Sequence, residues 1–304
     1  MQFVRFFNVE RKQPAIGLIQ ADKVIDLTAV TTAKRPQWLQ APLASIVELM
    51  PASEVQLAEL IQLAKAADAQ HVHAYDSLRV LSPIEARRNV FCVGRNYREH
   101  IIEGNLANGR PADSFPLAIE FFTKPAESVV GHGDKVKLHS ALTAKLDYEA
   151  ELAIVIGKKG VDIPADQAMD YVFGYTLVND VTARDLQKAH GQWFKGKGLD
   201  TTCPVGPNIT HKSLIPDPQN LEVELFLNDE RRQAASTEEM IFTVAEIVSK
   251  LSAGMTLLPG DIIATGTPKG VGFAANPPRC LREGDRTTVR IAQIGELTND
   301  FRDA

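Results

Sequence analysis

Short apolar runs broken by charged or Pro-containing turns open the chain: QFVRFF, AIGLIQ and VIDL within residues 1–28. Alternate side chains of a strand share a face, and runs this short with such punctuation predict two or three antiparallel strands. Between Ala44 and Ala67 the period changes. Ile46, Leu49, Met50, Leu57, Leu60, Ile61 and Ala64 recur at helical spacing, and Pro51 is expected to split the stretch into two helices. LRVLSPIEARRN (78–89) interrupts the pattern with a proline and two adjacent arginines and reads as a boundary. It divides the chain into a small N-terminal α+β domain, 1–85, and a larger domain, 86–304. In the latter, strand-like runs dominate: VFCVG, AIEFFTK, KVKLH, ELAIVIG, VFGYTLVND, LEVELFLN, DIIATG and TVRIAQIG. Only two full helices are expected among them, near 182–190 and 243–254. Many strands with few helices predict a β-rich α+β fold, not a βαβ array.

Composition narrows the function class. The 304 residues carry 33 Lys and Arg against 38 Asp and Glu, a formal charge of −5, which argues against a phosphate-binding nucleic-acid surface. No run approaches the ~18 apolar residues of a membrane helix, and the N-terminus lacks a signal-peptide core, so a soluble, cytoplasmic protein is expected. The 3 cysteines, Cys92, Cys203 and Cys280, stand far apart without a CxxC pair, and predict neither a disulfide framework nor a zinc site.

The segment KLDYEAELAIVIG (145–157) is the most informative for chemistry. As a strand it places Asp147, Glu149 and Glu151 on one face, and both faces turn apolar toward its C-terminal end, as in a strand buried on both sides. An isolated E-x-E is ordinarily a solvated face or a pair of Arg partners. Here a third acid, Asp180, ends another apolar run, VFGYTLVND. Buried carboxylates need counter-charge. Three hard oxygen ligands without nearby His or Cys suit Mg²⁺ or Mn²⁺, with Ca²⁺ also compatible.

GRNYREHIIE (94–103), FFTKPAES (121–128), DYEAEL (147–152), GYTLVNDVTARDLQ (174–187), KGKGLDTTCPVGP (195–207) and PGDIIATGTPKGVG (259–272) occur in this order. Together they resemble the fumarylacetoacetate hydrolase family over essentially all of 89–304. That resemblance implies a catalytic domain built as a mixed β-sheet roll or barrel, and a homodimer. It makes Glu149, Glu151 and Asp180 the metal ligands, where the strand argument also arrives. It makes His100 and Glu103, on a helical turn expected to stop at Gly104, a catalytic dyad on a lid, followed by a mobile GNLANGRPADS segment. A carboxylate orienting an imidazole that titrates near neutral pH fits the activation of water.

Further roles follow from the same resemblance. Gln187 would donate to a substrate oxygen, Thr267 would contact the substrate acid group, and Lys197 would reach the oxygens beside the metal. The spacing from Trp193 favours Lys197 over Lys195, although Gly198 replaces the Ser more usual after it. Lys124 is either a substrate contact or half of a structural ion pair. The implied activity is cleavage next to a 2-oxo acid: hydrolysis of an acylpyruvate, such as fumarylpyruvate or maleylpyruvate. Decarboxylation of oxaloacetate and isomerisation of 2-hydroxyhepta-2,4-diene-1,7-dioate are alternatives on the same ligand set. A non-catalytic binding protein is the least favoured reading.

Overall fold

A computed structural model describes residues 1–303. The opening alternation folds as three antiparallel strands, Gln2–Asn8, Gln13–Gln20 and Lys23–Asp26. Asp26 then caps the Leu27–Ala33 helix by accepting from Ala29 N at 2.8 Å, satisfying one of the amides that a helix start leaves unpaired. Pro51 does separate two helical pieces: a short 3₁₀ turn, Ile46–Leu49, and the Glu54–Lys65 helix, which begins in a Ser53/Gln56 capping box.

These N-terminal strands do not stand apart. Gln2–Asn8 pairs with Cys203–His211, placing Gln2 opposite Thr210 and Phe3 opposite Ile209. The sheet continues through Val172–Asn179, Ala150–Ile156, Ile262–Ala264 and Val90–Gly94 to Glu120–Lys124. It is mixed, because Ile262–Ala264 and Val90–Gly94 run parallel. One edge is Val72–Ala74 and the other Glu120–Lys124. The two edges do not meet, so the barrel closure implied by the family resemblance is absent. The three N-terminal strands extend the sheet outward on one side and the short Glu120–Lys124 strand ends it on the other. A second sheet has five strands in the order Glu230–Ser236, Glu222–Leu227, Arg286–Ile291, Gly295–Arg302, Lys135–Lys137.

The Ala150–Ile156 strand is buried throughout, as its apolar faces predict. Leu152, Ile154 and Ile156 enter a core shared with Val223, Leu225, Val289 and Phe301 of the second sheet. Ala153 and Val155 face the opposite core, with Ile46, Leu49, Leu57 and Leu60. Each large apolar side chain so buried contributes roughly 1.5–3 kcal/mol, so the strand's position is strongly specified. The Val244–Ser252 helix closes the first core with Val244, Ile247, Val248 and Leu251. No helix among the described residues is long and apolar enough to cross a membrane.

Candidate active site

Register brings the acids together. Ala150 lies opposite Asn179 and Glu151 opposite Val178, so the start of one strand meets the end of its neighbour. Asp180 N donates to Glu149 O at 2.8 Å, and Glu149 N donates to Asn179 Oδ1 at 3.0 Å. Glu149, Glu151 and Asp180 each present a carboxylate oxygen within 4.8 Å of the others, and all three are buried.

Counter-charge surrounds them unevenly. Lys197 Nζ donates to Glu149 Oε2 at 2.8 Å and to Asp180 Oδ2 at 2.6 Å. Arg184 reaches Glu149 Oε1 at 2.7 Å through one nitrogen and Asp147 Oδ2 at 2.9 Å through Nε. Lys124 Nζ lies 2.9 Å from Asp180 Oδ1 but directs its hydrogen bond to Val181 O, also at 2.9 Å, and Asp180 Oδ1 has no hydrogen-bond partner. Glu151 accepts only from Gly266 N at 2.7 Å and, among the described residues, enters none of these ion pairs.

Protonation follows that geometry. Burial pushes the Glu149 carboxyl up, but Lys197 and Arg184 outweigh it and hold it at about 2. Burial, then Asp180 and Glu149, push Glu151 well above the ordinary carboxylate range. Burial works against the charged ammonium of Lys197, yet Asp180 and Glu149 raise it overall. Four acids (Asp147, Glu149, Glu151, Asp180) thus face three fixed cations (Lys124, Arg184, Lys197), all but Arg184 buried. Three buried carboxylates within 4.8 Å of one another, one of them without a basic partner among the described residues, are a donor set that fits a hard divalent cation.

Glu149 and Glu151 form the floor of a cavity of about 610 Å³, within the range of small-molecule sites. His100, Glu149, Glu151, Gln187, Lys197 and Thr267 line it; Glu103, Lys124 and Asp180 do not. Lys197 is buried on the acids, whereas Lys195 points to solvent. Lys124 is fully buried, with Nζ 2.9 Å from Asp180 Oδ1. Gln187 accepts from Arg184 at 3.3 Å, which leaves its amide hydrogens for a ligand.

His100 and Glu103 stand on the wall. His100 Nδ1 is 3.1 Å from Glu103 Oε1, and Gly270 N donates to both Glu103 oxygens at 3.0 Å. Their helix runs Arg98–Ala107, past the expected stop at Gly104, so part of the segment read as mobile is helical. Gly104 packs beside Phe273, and the helix ends instead at Asn108 and Gly109, where φ is +67°. Such a backbone conformation favours glycine and terminates helices.

Sequence reading missed several groups. Asp147 anchors Arg184 and accepts from Gly272 N at 2.8 Å and Phe273 N at 3.1 Å, tying the 267–273 loop to the acid strand. Arg184 lies 4.4 Å over the Phe273 ring. Asn96 holds the chain just before this loop by donating to Thr265 O at 2.8 Å. Gln233 bridges the two sheets at Ala150 and Thr267. Asp147 had a signal, its shared face with Glu149 and Glu151. The others carried none in a single sequence.

A buried triad of acids at the base of a cavity, with a His–Glu pair on a neighbouring helix, is the arrangement of an enzyme site built around acidic ligands. Residues 89–302 match the model of the fumarylacetoacetate (FAA) hydrolase C-terminal family, and the chain belongs to that family. Over 294 residues it is 45% identical to oxaloacetate tautomerase YisK of Bacillus subtilis (strain 168), covering 94% of this chain and 95% of that protein. A solved fumarylacetoacetate hydrolase from psychrophilic Exiguobacterium antarcticum is 38% identical, with a TM-score of 0.82 over 100% of both chains. Maleylpyruvate hydrolase from Sphingobium sp. SYK-6 is 30% identical, with a TM-score of 0.77 over 99% of each chain.

Proposed function

We propose that this chain is a divalent-metal-dependent enzyme that moves a proton at the carbon next to the 2-oxo group of a small 2-oxo acid, interconverting the enol and keto forms of oxaloacetate. The observation that carries this is the His100–Glu103 pair beside a cavity whose floor holds an acid without a basic partner. The 45% identity to an oxaloacetate tautomerase supports the substrate. Glu149, Glu151 and Asp180 would hold Mg²⁺ or Mn²⁺, which supplies positive charge where negative charge gathers on the 2-oxo oxygen.

The chain's own residues do the rest. Glu103 engages Nδ1 of His100, so Nε2 is the ring nitrogen that takes the proton from carbon or returns it. Glu103 cannot swing away, because the Gly270 amide holds both its oxygens. Thr267 and the Gln187 amide donate to the acid and 2-oxo oxygens. Lys197 and Arg184 keep Glu149 ionised. The Arg98–Ala107 helix covers the site and limits water around the reacting carbon. The assembly proposed is a homodimer, on the family likeness alone.

Hydrolysis of an acylpyruvate is the second reading, supported by the likeness to a maleylpyruvate hydrolase and by a dyad equally able to take a proton from water. The deciding experiment follows enol-oxaloacetate by ultraviolet absorbance and, in parallel, cleavage of acetylpyruvate and maleylpyruvate. Faster ketonisation without release of acid or CO₂ upholds the first reading. Diketo-acid cleavage alone transfers the assignment to the hydrolase, and CO₂ release to the decarboxylase.

A further inference from the structure

Gln233 has no place in the chemistry above, yet it is buried between the two sheets, beside the site. Its Oε1 accepts from Ala150 N at 2.9 Å, the amide lying between Glu149 and Glu151. Its Nε2 donates to Pro268 O at 2.8 Å and to Thr267 Oγ1 at 2.9 Å. These partners fix the amide's orientation without ambiguity. An oxygen must face the Ala150 N–H, and a nitrogen must face the Pro268 carbonyl. Both Nε2 hydrogens are then committed, one to Pro268 O and one to Thr267 Oγ1. The hydroxyl of Thr267 is therefore an acceptor toward Gln233, and its own hydrogen must point elsewhere. Thr267 lines the cavity.

We propose that Gln233 is a positioning residue that sets the polarity of the Thr267 hydroxyl, committing it to donate into the cavity toward the carboxylate of the 2-oxo acid. This rests on the reading of Thr267 as a substrate contact. The same side chain ties the Thr267 loop to the acid strand, so hydroxyl and carboxylates keep one spacing. A hydroxyl preset as donor suits an anion; one free to rotate could turn its hydrogen to a neighbouring carbonyl instead.

The test uses the metal-loaded enzyme and oxalate, a probe carrying adjacent carboxylate oxygens whose binding is independent of the reaction catalysed. Thr267→Val is expected to weaken oxalate binding and raise KM for oxaloacetate roughly tenfold or more, the usual loss of a hydrogen bond to a charged group. Gln233→Glu is nearly isosteric and keeps the acceptor for Ala150 N. Ionised, it draws the Thr267 hydrogen inward. Protonated, its one proton goes to Pro268 O, which cannot donate, and Thr267 again turns inward. KM should therefore rise at least as far as in Thr267→Val, with kcat changed less than about threefold.

Gln233→Met frees the hydroxyl and should raise KM less than Thr267→Val does. The double variant Gln233→Met/Thr267→Val should match Thr267→Val within about twofold, because the part of the first change that reaches the ligand passes through the Thr267 hydroxyl. Multiplicative effects in the double variant, or wild-type affinity in Gln233→Glu while Thr267→Val is impaired, would overturn the positioning role. Wild-type affinity in Thr267→Val would overturn the substrate-contact reading and this inference with it. Absence of oxaloacetate turnover, with the oxalate pattern intact, would overturn only the assigned reaction.

Discussion

Replacing Lys197 by Met removes the one ammonium shared by two buried carboxylates. Lys197 Nζ is 2.8 Å from Glu149 and 2.6 Å from Asp180, and all three side chains are closed to solvent. Without it, Arg184 and Lys124 alone face Asp147, Glu149, Glu151 and Asp180. Breaking a buried pair by removing one partner costs roughly 3–5 kcal/mol. At about 2 °C per kcal/mol for a chain of this size, Tm with a chelator present should fall by about 6–10 °C. The acids left unpaired are those assigned to a divalent cation. With excess Mn²⁺ the fall should shrink to less than half, as the ion replaces the missing charge. Thermal unfolding of both proteins with EDTA and with Mn²⁺ measures this directly. An equal fall in both media, or one under about 2 °C in EDTA, would refute the reasoning.

Glu151→Gln should leave metal-free Tm unchanged or raised, because Glu151 alone among the four acids lacks a basic partner; calorimetry should show Mn²⁺ binding weakened at least tenfold. Asp147→Asn should cost about 3 kcal/mol by leaving Arg184 half-paired and slackening the Gly272–Phe273 turn, measured by urea unfolding. Gly270→Ala meets a φ of +102° and a Cβ position 2.1 Å from Arg232 O. The loop must shift, loosening the Gly270 amide on Glu103, and kcat should fall roughly tenfold or more in steady-state assays.

Where periodicity was strict, the sequence was informative. The Ala150–Ile156 strand was readable because both faces are apolar, and its acids because strand alternation put them together. The two pieces around Pro51 were readable because proline cannot continue a helix. Three of the longer strands escaped for physical reasons. Cys203–His211 contains Pro204, Gly206 and Pro207, which read as loop, while Glu230–Ser236 and Gly295–Arg302 are too polar to show a buried face. Their place in the sheets is set by pairing, which no local pattern encodes. The site divides similarly. His100, Glu103, Gln187, Lys197 and Thr267 were proposed by likeness to a family. Arg184, Asn96 and Gln233 act through partners 34 or more residues away, visible only once the chain is folded.

The central claim is that His100, poised by Glu103, moves a proton on a 2-oxo acid held beside a metal ion. The most direct measurement is the rate of enol-oxaloacetate ketonisation by wild type and His100→Ala, each loaded with Mn²⁺ and checked for metal content. The account predicts equal metal content and a kcat lower by roughly 10²–10⁴ in the variant, the usual share of general acid–base catalysis. Equal rates in the two proteins, or an undiminished rate in chelated wild type, would contradict it.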